Sequence, residues 1–204
     1  MPRPIRALIS ASAFSNNLKI AARHAGAAKV WAVLKANAYG HGLERAAGAL
    51  GAADGFAVLD FEEAARLRAL GVRQPILMLE GMFQASDVPL LGRHALTPVI
   101  HNAEQVRMLA GADPGGAIDV YLKANTGMNR LGFDAPGLRA AYEALRANPR
   151  VRGVTLMTHF ADADDEKRVG KAVRQLKASQ WQYKKDARVG GWVVLFSHGS
   201  IEAS

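Results

Sequence analysis

Residues 30–42 read VWAVLKANAYGHG. An apolar run over 30–34 stops at a lysine, and a tight polar stretch follows with a tyrosine at 39 and glycines at 40 and 42. A strand open to water on one face alternates apolar and polar residues. A run that is apolar at every position instead predicts a strand covered on both faces, as parallel strands are. A lysine at the end of such a strand costs desolvation free energy unless it has a partner or a chemical task.

The same beat repeats on both sides of this stretch. A short strand is predicted over 6–9, then a helix capped by Ser10 or Ser12. Strand 30–35 precedes a helix over 43–50. Strand 55–59 leads to Asp60, which is placed to cap FEEAARLRAL, a helix stopped by Gly71. Strand 75–79 precedes a short helix containing 85–90. Strand 97–100 is followed by helix 103–109 behind an Asn102 cap. Strand 118–123 leads through a longer polar loop to helix 137–147, and strand 154–158 ends at His159. Short strands, apolar at nearly every residue and separated by single helices, predict an α/β protein with parallel strands. Six such units counted from Val30, with no GxGxxG after the first strand, favour a (β/α)8 TIM-type barrel over an open doubly wound sheet. The 192–196 segment is a seventh candidate strand, so the barrel is expected to be incomplete.

The 204 residues are half hydrophobic, enough for one well-packed domain. Without cysteine, disulfides and thiolate metal sites are excluded, no metal site is expected, and a reducing cytoplasm is the expected location. The first twenty residues hold no apolar core of a signal peptide, and no run is long enough to span a bilayer. The net charge of +8 divides unevenly: residues 1–165 contribute +3 and residues 166–204 contribute +5. With no basic stripe interleaved with aromatics in the body, nucleic acid is not an expected partner.

In such barrels, chemistry gathers at the C-terminal ends of the strands. The polar residues there are Lys35 and Tyr39, Asp60, Glu80, His101, Lys123 with Asn125 and Arg130, and His159. A lysine in a partly apolar pocket can lose its proton near neutral pH and attack a carbonyl to form a Schiff base. Taken by itself, Lys35 is better read as a surface lysine leaving the sheet or snorkelling at its edge. Tyr39 suits a phosphate contact or simple packing in a turn, and Gly40 and Gly42 would allow close backbone approach to a ligand.

Several blocks in order carry a family resemblance. AVLKANAYGHG resembles the cofactor segment of bacterial alanine racemases, and LKANTGMNRLGF at 122–133 is similar to their loop around a cofactor-contacting arginine. VLDFEEAARLRALG at 58–71, PILMLEG at 75–81, TPVIHNAEQ at 97–105 and MTHFADADD at 157–165 also match, so the resemblance covers roughly residues 3 to 165. It implies pyridoxal 5'-phosphate (PLP) held covalently by Lys35, which would also serve as the base on the D-alanine face. Tyr39 would bond the cofactor phosphate. Arg130 would sit beside the cofactor's phenolic oxygen and orient the substrate carboxylate, and His159 would lie at the cofactor ring. Lys123 matches a lysine that is carbamylated in some members. The implied function is racemisation of alanine, supplying D-alanine for peptidoglycan, in a homodimer whose second base is a tyrosine on the partner's C-terminal β-domain.

Residues 166–204 hold two of the three tryptophans and few acids, and they lack the family's later blocks. Ser197, Gly199 and Ser200 resemble a phosphate contact only in isolation. The expected organisation is therefore a PLP-binding barrel over 1–165 and a basic tail over 166–204. That tail would hold a helix over 169–176 and the 192–196 strand, and it would lack the β-domain. Little racemisation is expected of the isolated chain. The alternative is a single-domain PLP-homeostasis protein that binds the cofactor without turnover.

Overall fold

A computed structural model describes residues 6–160 and the backbone of 193–197. The chain divides into two compact units, Met1–Ile76 with Trp192–Ser204, and Leu77–Gly191.

In the first unit, β1 (Lys29–Val33) lies between two parallel neighbours. On one side it pairs with β2 (Gly55–Val58), setting Trp31 beside Gly55 and Val33 beside Ala57. On the other it pairs with β7 (Val193–Ser197), from Lys29 beside Val193 to Val33 beside Ser197. A central parallel strand is covered on both faces, which explains why Val30 to Val33 are all buried. Asp54 extends the pairing: its carboxylate accepts the Val30 N–H at 2.8 Å, and its own N–H donates to the Val30 carbonyl at 2.9 Å. Gly55 is required by packing, because a Cβ there would lie 2.6 Å from the Trp31 indole.

Helix α1 (Ala11–Ala25) starts at Ser10, whose hydroxyl accepts the Ala13 N–H, and buries Phe14 and Leu18 at i, i+4 spacing. A short turn labelled α2 (Lys35–Tyr39) follows β1, and α3 (Leu43–Ala49) follows the turn. Helix α4 (Phe61–Ala69) is capped by Asp60, with Glu62 and Glu63 in its first turn and Arg66 and Arg68 in its last, as the helix dipole favours.

Strand β3 (Ile76–Met78) is fully buried and falls at the boundary between the units. In the second unit a 3₁₀ turn, Ala85–Asp87, runs into α5 (Val88–Arg93). Strands β4 (Leu96–Ile100), β5 (Ile118–Lys123) and β6 (Val151–Met157) are parallel, with β5 in the middle. Helix α6 (Ala103–Gly111) has its Asn102 cap, and α7 (Ala135–Ala147) has an Asp134 cap. Val99, Ile100, Leu109, Val120, Leu122, Leu138 and Leu145 form this unit's core.

The succession of elements follows the expected beat, with one clear failure. Residues 6–10 carry no secondary structure, and Leu8 is 88% exposed, so the strand expected over 6–9 does not form. Only Ala7, Leu8 and Ile9 are adjacent and apolar there, too little surface to hold an unpaired segment against a sheet. Strand β1 also stops two residues short of Lys35, and the lysine opens the turn instead. The helix expected over 169–176 lies outside the described residues.

Candidate active site

The turn after β1 has the wrong hand for L-amino acids. Ala36, Asn37, Ala38 and Tyr39 all have φ between 53° and 55°. For the first three, ψ is 46–53°, one turn of left-handed helix. Each such residue costs about 1–2 kcal/mol, less where the residue is asparagine. The turn is closed by Ala38 N–H donating to the Leu34 carbonyl (2.8 Å) and Gly40 N–H to the Ala36 carbonyl (3.0 Å). Gly40 and Gly42, at φ 83° and 96°, carry the chain out into α3.

Asn37 is the hub of this turn. Its N–H donates to Glu63 Oε1 on α4 at 2.6 Å, its side-chain oxygen accepts the Leu43 N–H at 2.9 Å, and its carbonyl accepts the Gly42 N–H at 3.0 Å. The hold begins just after β1, where Leu34 is fully buried and donates its N–H to the Ala57 carbonyl of β2. Lys35 therefore leaves the sheet from a fixed point, half-buried, with Nζ 5.7 Å from the centre of the Tyr39 ring. That is within cation–π range, while Tyr39 keeps its other side open to water.

A second set of expected residues gathers in the other unit, at the end of β5. Lys123 is buried, and the loop beyond it is pinned back on itself. Phe133 N–H donates to the Lys123 carbonyl (3.0 Å) and Asn125 N–H to the Phe133 carbonyl (2.8 Å). The Asn125 side chain holds the loop interior by accepting the N–H groups of Gly127 and Asn129. Gly132, at φ 115°, permits the closure, since a Cβ there would sit 2.8 Å from the Asn125 nitrogen. From this loop Arg130 Nη2 donates to His159 Nδ1 at 3.2 Å. A guanidinium can only donate, so in this contact the ring nitrogen is the acceptor. Both side chains are exposed, and with Lys123, Asn125, Thr126 and Met128 they line a shallow concavity.

Glu80 and His101 turn out to be bracing. His101 Nε2 meets the Glu80 carbonyl at 3.1 Å, and the His101 N–H donates to the Gln105 side chain at 2.9 Å. Buried Gln105 returns its amide to the Glu80 and Met82 carbonyls. Burial lowers the His101 pKa, and the Lys123 charge acts in the same direction. Asp60 is spent on the α4 cap. Ser197 ends β7 beside Val33, while Gly199 and Ser200 lie outside the described residues.

The structure thus brings Lys35 to Tyr39 in one unit, and Lys123 to Arg130 and His159 in the other. Asn37, Glu63 and Gln105 were missed in the sequence. The only signal for Glu63 was its place three residues after the Asp60 cap, where a capping box puts a Glu.

The family model for the alanine racemase N-terminal domain matches residues 9–191. The chain belongs to the alanine racemase family. An alanine racemase of Burkholderia mallei is 51% identical over 169 residues, which are 83% of this chain and 48% of that protein. The crystal structure of the biosynthetic alanine racemase from Pseudomonas aeruginosa superposes with a TM-score of 0.81 at 40% identity, covering 90% of this chain and 51% of that one. A histidine racemase from Leuconostoc mesenteroides also matches, with a TM-score of 0.75, 30% identity, and coverage of 92% and 51%. The fold is the β/α barrel type of the alanine racemase N-terminal domain, as its strand pattern led one to expect. The chain spans about half the length of the curated relatives it matches. Among the described residues no helix is long and apolar enough to cross a membrane.

Proposed function

We propose that this chain carries the lysine-bearing part of a PLP-dependent amino-acid racemase, cytoplasmic and acting on alanine. The observation that carries the reading is Lys35, a half-buried amine at the end of a buried strand, fixed by a left-handed turn and flanked by the Tyr39 phenol. The donor set of the first unit suits an aldehyde bearing a phosphate: one primary amine, Lys35, and one phenolic hydroxyl, Tyr39. Lys35 would hold the cofactor through its Nζ, Tyr39 would donate to the phosphate, and Arg130 and His159 would face the ring and the substrate carboxylate. Lys123 would brace Arg130 from below if carbamylated.

When bound, the cofactor supplies an electron sink that acidifies the α-proton of an amino acid. Lys35 Nζ would take and return that proton on the D-alanine face, the task of a positioned general base. Racemisation takes a base on each face. The family resemblance assigns the second to a tyrosine of a partner subunit's β-domain, so full turnover is proposed for the assembled homodimer of the longer protein. Alanine is preferred over histidine as substrate because the most similar relatives are named alanine racemases.

Titrating PLP into the chain tests the reading. The absorption of free PLP should shift in the wild type and not in Lys35→Ala, with Lys29→Ala as the control. An equal shift in Lys35→Ala would overturn it. Assays with L- and D-alanine then separate a racemase from a PLP-homeostasis protein.

A further inference from the structure

Glu63 stands outside the expected machinery and is the most costly side chain near it. It is buried to 6% exposure on α4, with one carboxylate oxygen on the Asn37 N–H and the other, Oε2, without a hydrogen-bond partner among the described residues. Burial raises its pKa, and the Asp60 charge adds to that. The Asn37 and Leu59 N–H groups and the Arg66 charge oppose the rise. Burying a half-satisfied carboxylate is unfavourable, so its retention calls for a local reason.

Helix α4 does not supply that reason. Its first turn is capped by Asp60, which accepts the Glu63 N–H at 2.7 Å through no part of the Glu63 side chain. A Glu three residues after a cap ordinarily reaches back to the cap's own N–H. Glu63 instead reaches 26 residues back along the chain to Asn37. The Asn37 N–H lies near the start of the left-handed turn, ahead of the first residue whose N–H finds a carbonyl within the turn, Ala38. Without Glu63, the Asn37 N–H would lose the acceptor on α4 that ties down the first part of the left-handed turn.

We propose that Glu63 is a positioning residue for Lys35: through the Asn37 N–H it holds the left-handed turn that fixes where the lysine amine points. The value of that placement for catalysis rests on the function proposed above. The hold on the turn does not.

The test compares the 204-residue wild type with Glu63→Leu, Glu63→Gln and, as an exposed neighbour, Glu62→Gln. Two quantities are read: amide hydrogen exchange at Asn37 and along α4, and the rate at which PLP plus borohydride labels Lys35. In Glu63→Leu, Asn37 exchange should rise and Lys35 labelling slow by about ten- to a hundredfold, the factor associated with one charge-assisted hydrogen bond. In Glu63→Gln the amide oxygen still accepts the Asn37 N–H, so both should return to within about threefold of the wild type. Helix α4 should stay protected in all four. Unchanged exchange at Asn37 in Glu63→Leu, or an equal loss of protection along α4, would overturn the proposal. If the wild type itself takes no label, the cofactor reading fails, and Asn37 exchange alone decides whether Glu63 holds the turn.

Discussion

Replacing alanine by glycine in a folded element normally destabilises it, and at Ala36 the sign should reverse. Ala36 has φ 55° and ψ 53° and is exposed, so glycine there removes no packing. It does remove a left-handed penalty of about 1–2 kcal/mol. The added freedom of the unfolded chain takes back about 0.4–1 kcal/mol. The net is a gain of up to about 1.5 kcal/mol. The reference is Ala140→Gly, at an exposed position inside α7, where the loss should be about 1 kcal/mol. The two variants should therefore differ by about 1–2.5 kcal/mol, read as urea midpoints at constant slope, or by several degrees in thermal midpoint for a chain of this size. If Ala36→Gly falls below the wild type as far as Ala140→Gly does, the turn is not left-handed and the account of Lys35's placement fails.

Three further outcomes are expected. Gly55→Ala should destabilise by about 1–3 kcal/mol, since its methyl would press on the buried Trp31 indole, and a wild-type urea midpoint would refute that close contact. His101 has a folded pKa below its ordinary 6.5, so the unfolded chain takes up a proton first as pH falls. Wild-type stability should thus decline from about pH 6.5 downward, and His101→Gln should lack that part of the slope. In D2O, the PLP-loaded chain should wash deuterium into D-alanine about a hundredfold or more faster than it forms L-alanine, the contribution of one positioned base. Equal rates by NMR would mean that a second base is present.

How much of this was legible in the sequence depends on the range of the interactions involved. Ser10, Asp60 and Asn102 were readable as caps because a cap acts on N–H groups two or three residues away. Helix α7 was expected two residues late because Asp134 before Ala-Pro was not recognised as its cap. The strands showed as apolar runs, but the 6–9 strand failed because strand formation needs a neighbour, which local residues cannot guarantee. Lys35 and Tyr39 could be picked out as candidates from the strand end and the family resemblance. The left hand of the turn between them could not: alanine has no preference for that conformation, and a contact from Glu63, 26 residues further on, helps to impose it. Lys123, Arg130 and His159 were gathered by family resemblance, and the loop closed by Gly132 supplies the geometry that the resemblance lacked. The domain division expected at residue 165 lies outside the described residues.

The central claim is that Lys35 is the amine to which PLP attaches, and it can be tested in one mass measurement. The chain is incubated with PLP, reduced with borohydride and digested, and the labelled peptide is sequenced. The account predicts a single pyridoxyl label on Lys35, within VWAVLKANAYGHG. A label spread over exposed lysines such as Lys19 and Lys29, with none favoured at Lys35, would contradict it.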